Sequence, residues 1–175
     1  MAATATVEEL NGAPTGTPAT VTNVRFCTAD DDNPGASYPI PIPDSSSVNS
    51  YWKTLRLKFS GSYTQVTNVY IYTDGTSGFG TGITTYIGDE TGETYEQATG
   101  TPGEDGDEMV TSHTGIDGKT DLFTYTSGSP KEVDTTTISG DPDYAKVIVL
   151  QMNVASTATA GTLSAETITW QYDEI

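Results

Sequence analysis

Few side chains in this sequence could do chemistry by type and spacing, and the first to weigh are acids. Asp30 and Asp32 in DDDNPG, and Asp105 and Asp107 in EDGDE, set carboxylates at alternate positions, as loops that hold hard cations do. Neither stretch follows the helix–loop–helix calcium pattern, because the fifth position counted from Asp30 is Pro34 and that from Asp105 is Met109. Calcium is therefore a weak expectation, and no other cofactor is expected. His113 is the only histidine and Cys27 the only cysteine. No nucleophile elbow or supporting pattern surrounds them, so His113 is expected at a surface or strand end and Cys27 as a small core residue. Paired carboxylates could serve glycoside hydrolysis, but acid abundance says little when the whole chain is acidic. The run GTSGFGTG (75–82) lacks the lysine and the strand-to-helix setting of a phosphate cradle, and is expected to be a hairpin loop with Phe79 as a tip anchor. No catalytic residue is assigned, and the chain is not expected to be an enzyme.

What remains is contact chemistry. The stretch SYPIPIPD carries Pro39, Pro41 and Pro43 at every second position, with Ile40 and Ile42 between them. Tyr38, Ile40 and Ile42 each precede a proline, which favours extended geometry. Alternate prolines leave one flank of such a strand without N–H donors, so it can pair on one side only and would close a sheet edge. The competing reading is a polyproline connector that pairs with nothing. Pro39, Ile40, Pro41, Ile42, Pro43, Trp52 and Phe79 are the residues expected to meet a partner. Tyr70 and Tyr72 share one strand face, and with Trp52, Tyr86 and Tyr95 they would make a platform for sugar rings or a protein surface if exposed, and core if buried.

These residues need elements to hold them. The chain has 175 residues and a formal net charge of −17, enough for one domain that buries a core without staples. With 24 acids against 7 bases, nucleic acid and anionic membrane are not expected as partners. No stretch is apolar for long enough to span a bilayer, and no signal peptide is visible, so synthesis in a host cytoplasm is expected. Residues 1–19 are small, polar and Pro/Gly-bearing, and read as a flexible N-terminal arm with a helical turn at Val7–Leu10. Strands are expected at about 20–28, 38–43, 51–60, 65–73, 82–87, 109–113, 121–126, 132–138, 144–154 and 164–173. Leu55, Leu57 and Phe59 alternate with Thr54, Arg56 and Lys58, with Lys53 on the apolar side, and both faces of 144–152 are apolar. The fold expected is an all-β antiparallel sandwich over 20–175, jelly-roll or immunoglobulin-like. A solvated acidic loop is expected at about 88–108, where eight acids occur without a base.

The runs VTNVRFCTADDDNPGASYPIPIPDSSSVNSYWKTLRLKFSG, VTNVYIYTDGTSGFGTG and AGTLSAETITWQYDEI resemble small structural proteins encoded among the head genes of tailed viruses of bacteria and archaea. The likeness covers about residues 20–87 and the last dozen or so. It implies a sandwich that joins a virion as a capsid decoration or minor component, located at the capsid surface. It further implies binding to the major capsid protein, symmetric copies of itself as neighbours in a homo-oligomer, and no enzymatic residue. A receptor- or carbohydrate-binding module of a tail fibre or cell surface is the alternative expectation.

Overall fold

A computed structural model describes residues 2–13, 15–90 and 94–175. In chain order the elements are β1 (Thr4–Asn11), β2 (Thr17–Thr20), β3 (Ser47–Asn49), β4 (Lys53–Ser60), β5 (Val66–Tyr72), β6 (Ile83–Glu90), β7 (Gly100–Thr101), β8 (Asp105–Gly106), the single-turn α1 (Met109–Ser112), β9 (Ile116–Asp121), a 3-10 turn (Leu122–Thr124), β10 (Lys131–Asp134), β11 (Asp143–Tyr144), β12 (Ile148–Ala155) and β13 (Thr169–Glu174). The large sheet runs β2-β1-β4-β12-β6-β9, with β11 added on β4 and β3 on β12. The small sheet is β10-β5-β13, and β7-β8 is a separate hairpin. Every ladder is antiparallel. The expected all-β sandwich is the fold.

Alternation builds the layers. Leu55, Leu57 and Phe59 of β4 are buried on the face turned to the small sheet, where Val66, Val69 and Ile71 of β5 meet them. Each such side chain contributes about 2 kcal/mol by leaving water. β12 is buried on both faces from Ile148 to Met152. Leu150 joins the inner core, while Val149 packs outward with Tyr51, Trp52, Ala98, Met109 and Ile116. Its central, doubly covered position agrees with its apolar pattern. In β13, Trp170 and Tyr172 turn inward and Gln171 and Asp173 outward, the one-sided burial expected of an outer strand.

Several expectations are corrected. The N-terminal segment is not an arm beyond Thr4: β1 lies between β2 and β4, in register from Thr4↔Ser60 to Leu10↔Thr54, with Glu8, Glu9 and Leu10 buried. Extended pairing replaces the helical turn at Val7–Leu10, because alternation sends Val7 and Glu9 to one face and Glu8 and Leu10 to the other. Met1 and Pro14 of that segment lie outside the described residues. Residues 38–43 join no ladder, so the edge-strand reading gives way to the connector. Tyr38 has φ 55°, a left-handed conformation and not the extended one expected before proline. Residues 21–28 are irregular, and 109–113 form a helical turn capped by Glu108, whose side chain accepts from Val110 N.

The acidic segment is not a free loop where it is described. Tyr95 donates to Gly12 O at 2.7 Å, Trp52 Nε1 donates to Glu96 O at 3.0 Å, and Ala98 is buried. Its hairpin sits so close to the loop before β4 that any Cβ on Gly106 would strike the Ser50 carbonyl. Glu93, one of its eight acids, lies outside the described residues.

Candidate binding cavity and buried polar sites

The small sheet has three strands and the large one six on its main path, so part of the large sheet's inner face has no strand opposite it. Two long irregular segments, 21–46 and 156–168, cover that part. Segments of this length without regular structure are commonly functional. Beneath them lies a cavity of about 1040 Å³. Its floor is Val7, Leu55, Ile83, Thr85, Met152 and Val154 from the large sheet, and its walls include Phe26, Phe79, Phe123, Ile168 and Trp170. Pro39, Ile40 and Ile42 line it too.

Local bonding fixes the roof. Thr28 N donates to Tyr38 O at 2.9 Å, and Thr28 Oγ1 reaches both Tyr38 O at 3.1 Å and Pro39 O at 3.2 Å. These bonds stand in for the ladder that the prolines cannot make. Tyr51 N donates to Cys27 O at 2.9 Å, tying the same loop to the start of β4. Ser156 N donates to Ser46 O at 3.2 Å, joining the two roof segments. At Gly82, φ is +78° and a Cβ would stand 2.6 Å from Thr157 Oγ1, so a glycine lets the chain pass under the second roof segment.

The expected partner residues divide between two faces. Ile42 and Tyr38 stay exposed at 37% and 44%, two of the four large apolar side chains exposed among the described residues. Pro39 and Pro41 are exposed, while Ile40 and Pro43 are half-buried. Phe79 is no free tip: it packs edge-on to Phe123 at 5.9 Å. Trp52 is corrected outright. At 3% exposure it cannot meet a partner or stack on a sugar, because the acidic segment covers it on the outer face.

Behind Trp52 is His113, also buried and so not the surface histidine expected, with ring centroids 5.7 Å apart in an edge contact. Its Nδ1 accepts from Gly115 N at 3.1 Å, which leaves the proton on Nε2, a buried atom with no partner. Burial pushes the imidazole below its ordinary pKa, and the Glu96 carboxylate 3.9 Å away offsets this only in part. Hydrogen bonds from Thr114, through its hydroxyl and its backbone N–H, hold Glu96 below the usual carboxylate range. Cys27 is buried as expected, its Sγ donating to Ala29 O at 3.2 Å, and burial raises its thiol.

The acids proposed for calcium have other duties. Asp30 Oδ2 accepts from Gly12 N at 2.8 Å and Gln97 Nε2 at 2.9 Å, and Asp107 Oδ2 accepts from Thr99 Oγ1 at 2.7 Å. Asp105 is exposed and Asp32 half-buried. Among the described residues no group of three or more His, Cys, Asp or Glu is placed to share a metal ion.

Sequence reasoning missed the buried charges. Lys53 Nζ lies 2.9 Å from Glu9 Oε1 with both side chains fully buried, and it also donates to Asp31 O at 2.6 Å. On the opposite face Glu8 holds Arg56 at 2.7 Å and Lys58 at 3.4 Å, with the Arg56 guanidinium 3.7 Å above the Tyr144 ring. A lysine in step with Leu55, Leu57 and Phe59 was the available signal, since an ammonium on an apolar face needs a carboxylate. No family model, curated protein or solved structure matches the chain.

Proposed function

We propose that this chain is a virion structural protein, a capsid decoration protein that binds the outer surface of the major capsid lattice in symmetric copies and stabilises it. The observation that carries the reading is the cavity roofed by the proline-rich segment. Its lining is mostly apolar, it lies next to exposed Tyr38 and Ile42, and it could take an apolar side chain or short segment of the shell protein. Burying such a group supplies affinity, while the proline-rich segment offers no ladder for indiscriminate strand pairing. The choice of a capsid shell as the partner comes from the resemblance read in the sequence over residues 20–87 and the last dozen or so. The acidic remainder of the surface favours solubility and repels off-lattice association.

The test is binding to assembled shells of the major capsid protein, imaged at lattice positions on the purified virion. Ile42→Asp, which changes an exposed residue, should leave folding intact and weaken shell binding about tenfold or more. Virions that carry no copy of the chain at lattice positions would end this reading. Unchanged binding by Ile42→Asp together with Ile40→Asp would remove the cavity from it.

A further inference from the structure

The register of β1 against β4 pairs Leu10 with Thr54. The ladder ends there, but the same register continued by one residue along both strands would set Asn11 opposite Lys53. Directly opposed residues hold their Cβ atoms about 5 Å apart, and Glu9, Asn11 and Lys53 all point to one face. One end of the Asn11 carboxamide lies 3.2 Å from Glu9 Oε1 and 3.0 Å from Asp30 Oδ1; because both neighbours are acceptors, we assign the amide nitrogen to that end, the reverse of the orientation placed in the structure. The same Glu9 Oε1 is the atom that Lys53 Nζ meets at 2.9 Å. One buried carboxylate oxygen therefore touches an amine and a carboxamide at once, and the other oxygen, Oε2, is buried without a partner.

We infer that Lys53 and Asn11 join in an intramolecular isopeptide bond, with Glu9 as the proton carrier. In the reaction the Lys53 ammonium gives a proton to Glu9. The free amine then attacks Asn11 Cγ, forming the Nζ–Cγ bond. Glu9 passes that proton to the amide nitrogen, and the Cγ–Nδ2 bond breaks to release ammonia. Glu9 then takes the second proton from the attacking nitrogen and gives it to the departing ammonia, which leaves as ammonium. Glu9 ends as the carboxylate it began as, and no oxidant, metal or co-reactant is needed. Burial raises the Glu9 carboxyl above its ordinary range, the direction that favours its taking the lysine proton. The product would clamp β1 to β4 covalently. This inference does not depend on the proposed function.

The experiment is the intact mass of the full-length protein under denaturing conditions, followed by digestion and fragment sequencing. The expected mass is the sequence mass less one ammonia, with a branched peptide joining the segments around Asn11 and Lys53. Asn11→Ala, at a half-buried position, should restore the full mass, as should Lys53→Met, and Glu9→Gln should leave the bond unformed. An imide made by Asn11 on the Gly12 nitrogen would lose the same ammonia. That nitrogen is engaged with Asp30 at 2.8 Å, and the imide would persist in Lys53→Met. Full mass in the wild type, ammonia loss surviving Lys53→Met, or loss of water in place of ammonia would each overturn the inference. The branched peptide is read in the wild type, so the outcome stands even if Lys53→Met fails to fold.

Discussion

Buried polar side chains decide much at the residue scale. Gln151 is 1% exposed; its Oε1 accepts from Met109 N at 3.1 Å, and its Nε2 donates to Ser50 O and Asp107 O, both at 2.8 Å. It joins β12 to the α1 turn and to the loop before β4. Gln151→Ala strands two buried backbone groups, Met109 N and Ser50 O, frees the partly buried Asp107 O and opens a void, and should cost about 3 kcal/mol, read as a lower denaturant midpoint at unchanged slope. His113 gives a pH signature. Its folded pKa is depressed, so above the ordinary value of 6.5 both states are neutral. As pH falls below that value the unfolded chain takes the proton first, and stability declines until the folded value is reached. His113→Asn keeps an acceptor for Gly115 N and removes this term. Its melting temperature should fall less than that of the wild type between about pH 7 and pH 5. Parallel profiles would show that the imidazole is not held neutral. Neither residue was legible as a site. Gln151 reads as the polar member of an apolar strand because its partners lie far off in sequence, and His113 as a lone histidine because Trp52, the ring against it, does. Lys53 carried a signal that went unread: it sits on the apolar side of the alternation, and its acid lies 44 positions away.

At the scale of elements, legibility followed local pattern. β4, β5, β6, β12 and β13 were readable because each alternates, or is apolar throughout, between turn-forming residues. β1 was not. Its TATVEELN has two adjacent acids and few large apolar groups, and only the cations of β4 make those acids buriable. The apolar MV of MVTSH suggested a strand, whereas the Glu108 cap and the Gln151 acceptor close it into a turn. The roof segments gave little sign of their role, since a chain without periodicity reads the same whether it covers a cavity or hangs in water. The standing of β1 can be tested by deletion. Removing residues 1–11 takes a paired inner strand from the large sheet and leaves Lys53 buried without Glu9. An unpaired buried charge alone costs about 3–5 kcal/mol. The truncated chain should lose its cooperative unfolding transition. A midpoint equal to that of the full chain would mean that the segment is dispensable after all.

For the whole molecule, charge sets the terms. Among the described residues, Lys53, Arg56, Lys58, Lys119 and Lys131 each face a carboxylate within 4.0 Å. The positive charge is thus largely committed to local pairs, and four of those pairs reach the surface. Against 24 acids these pairs leave a strongly negative surface whose self-repulsion opposes the compact state. Added salt acts on the two in opposite directions. It weakens exposed pairs by a few tenths of a kcal/mol each and screens the repulsion, which sums over many more charges. The larger sum should win, so the melting temperature should rise as sodium chloride goes from about 0.01 M to about 0.5 M, a range over which the screening length shrinks several-fold. Lys53 and Glu9 are fully buried and beyond the reach of screening ions, so Lys53→Met should shift the curve without changing its slope. If screening is the cause, sodium and potassium should act alike. Calcium at equal ionic strength should then add no step at low concentration. A saturating rise at micromolar to millimolar calcium would instead return the carboxylates of Asp30, Asp32, Asp105 and Asp107 to the role of ligands.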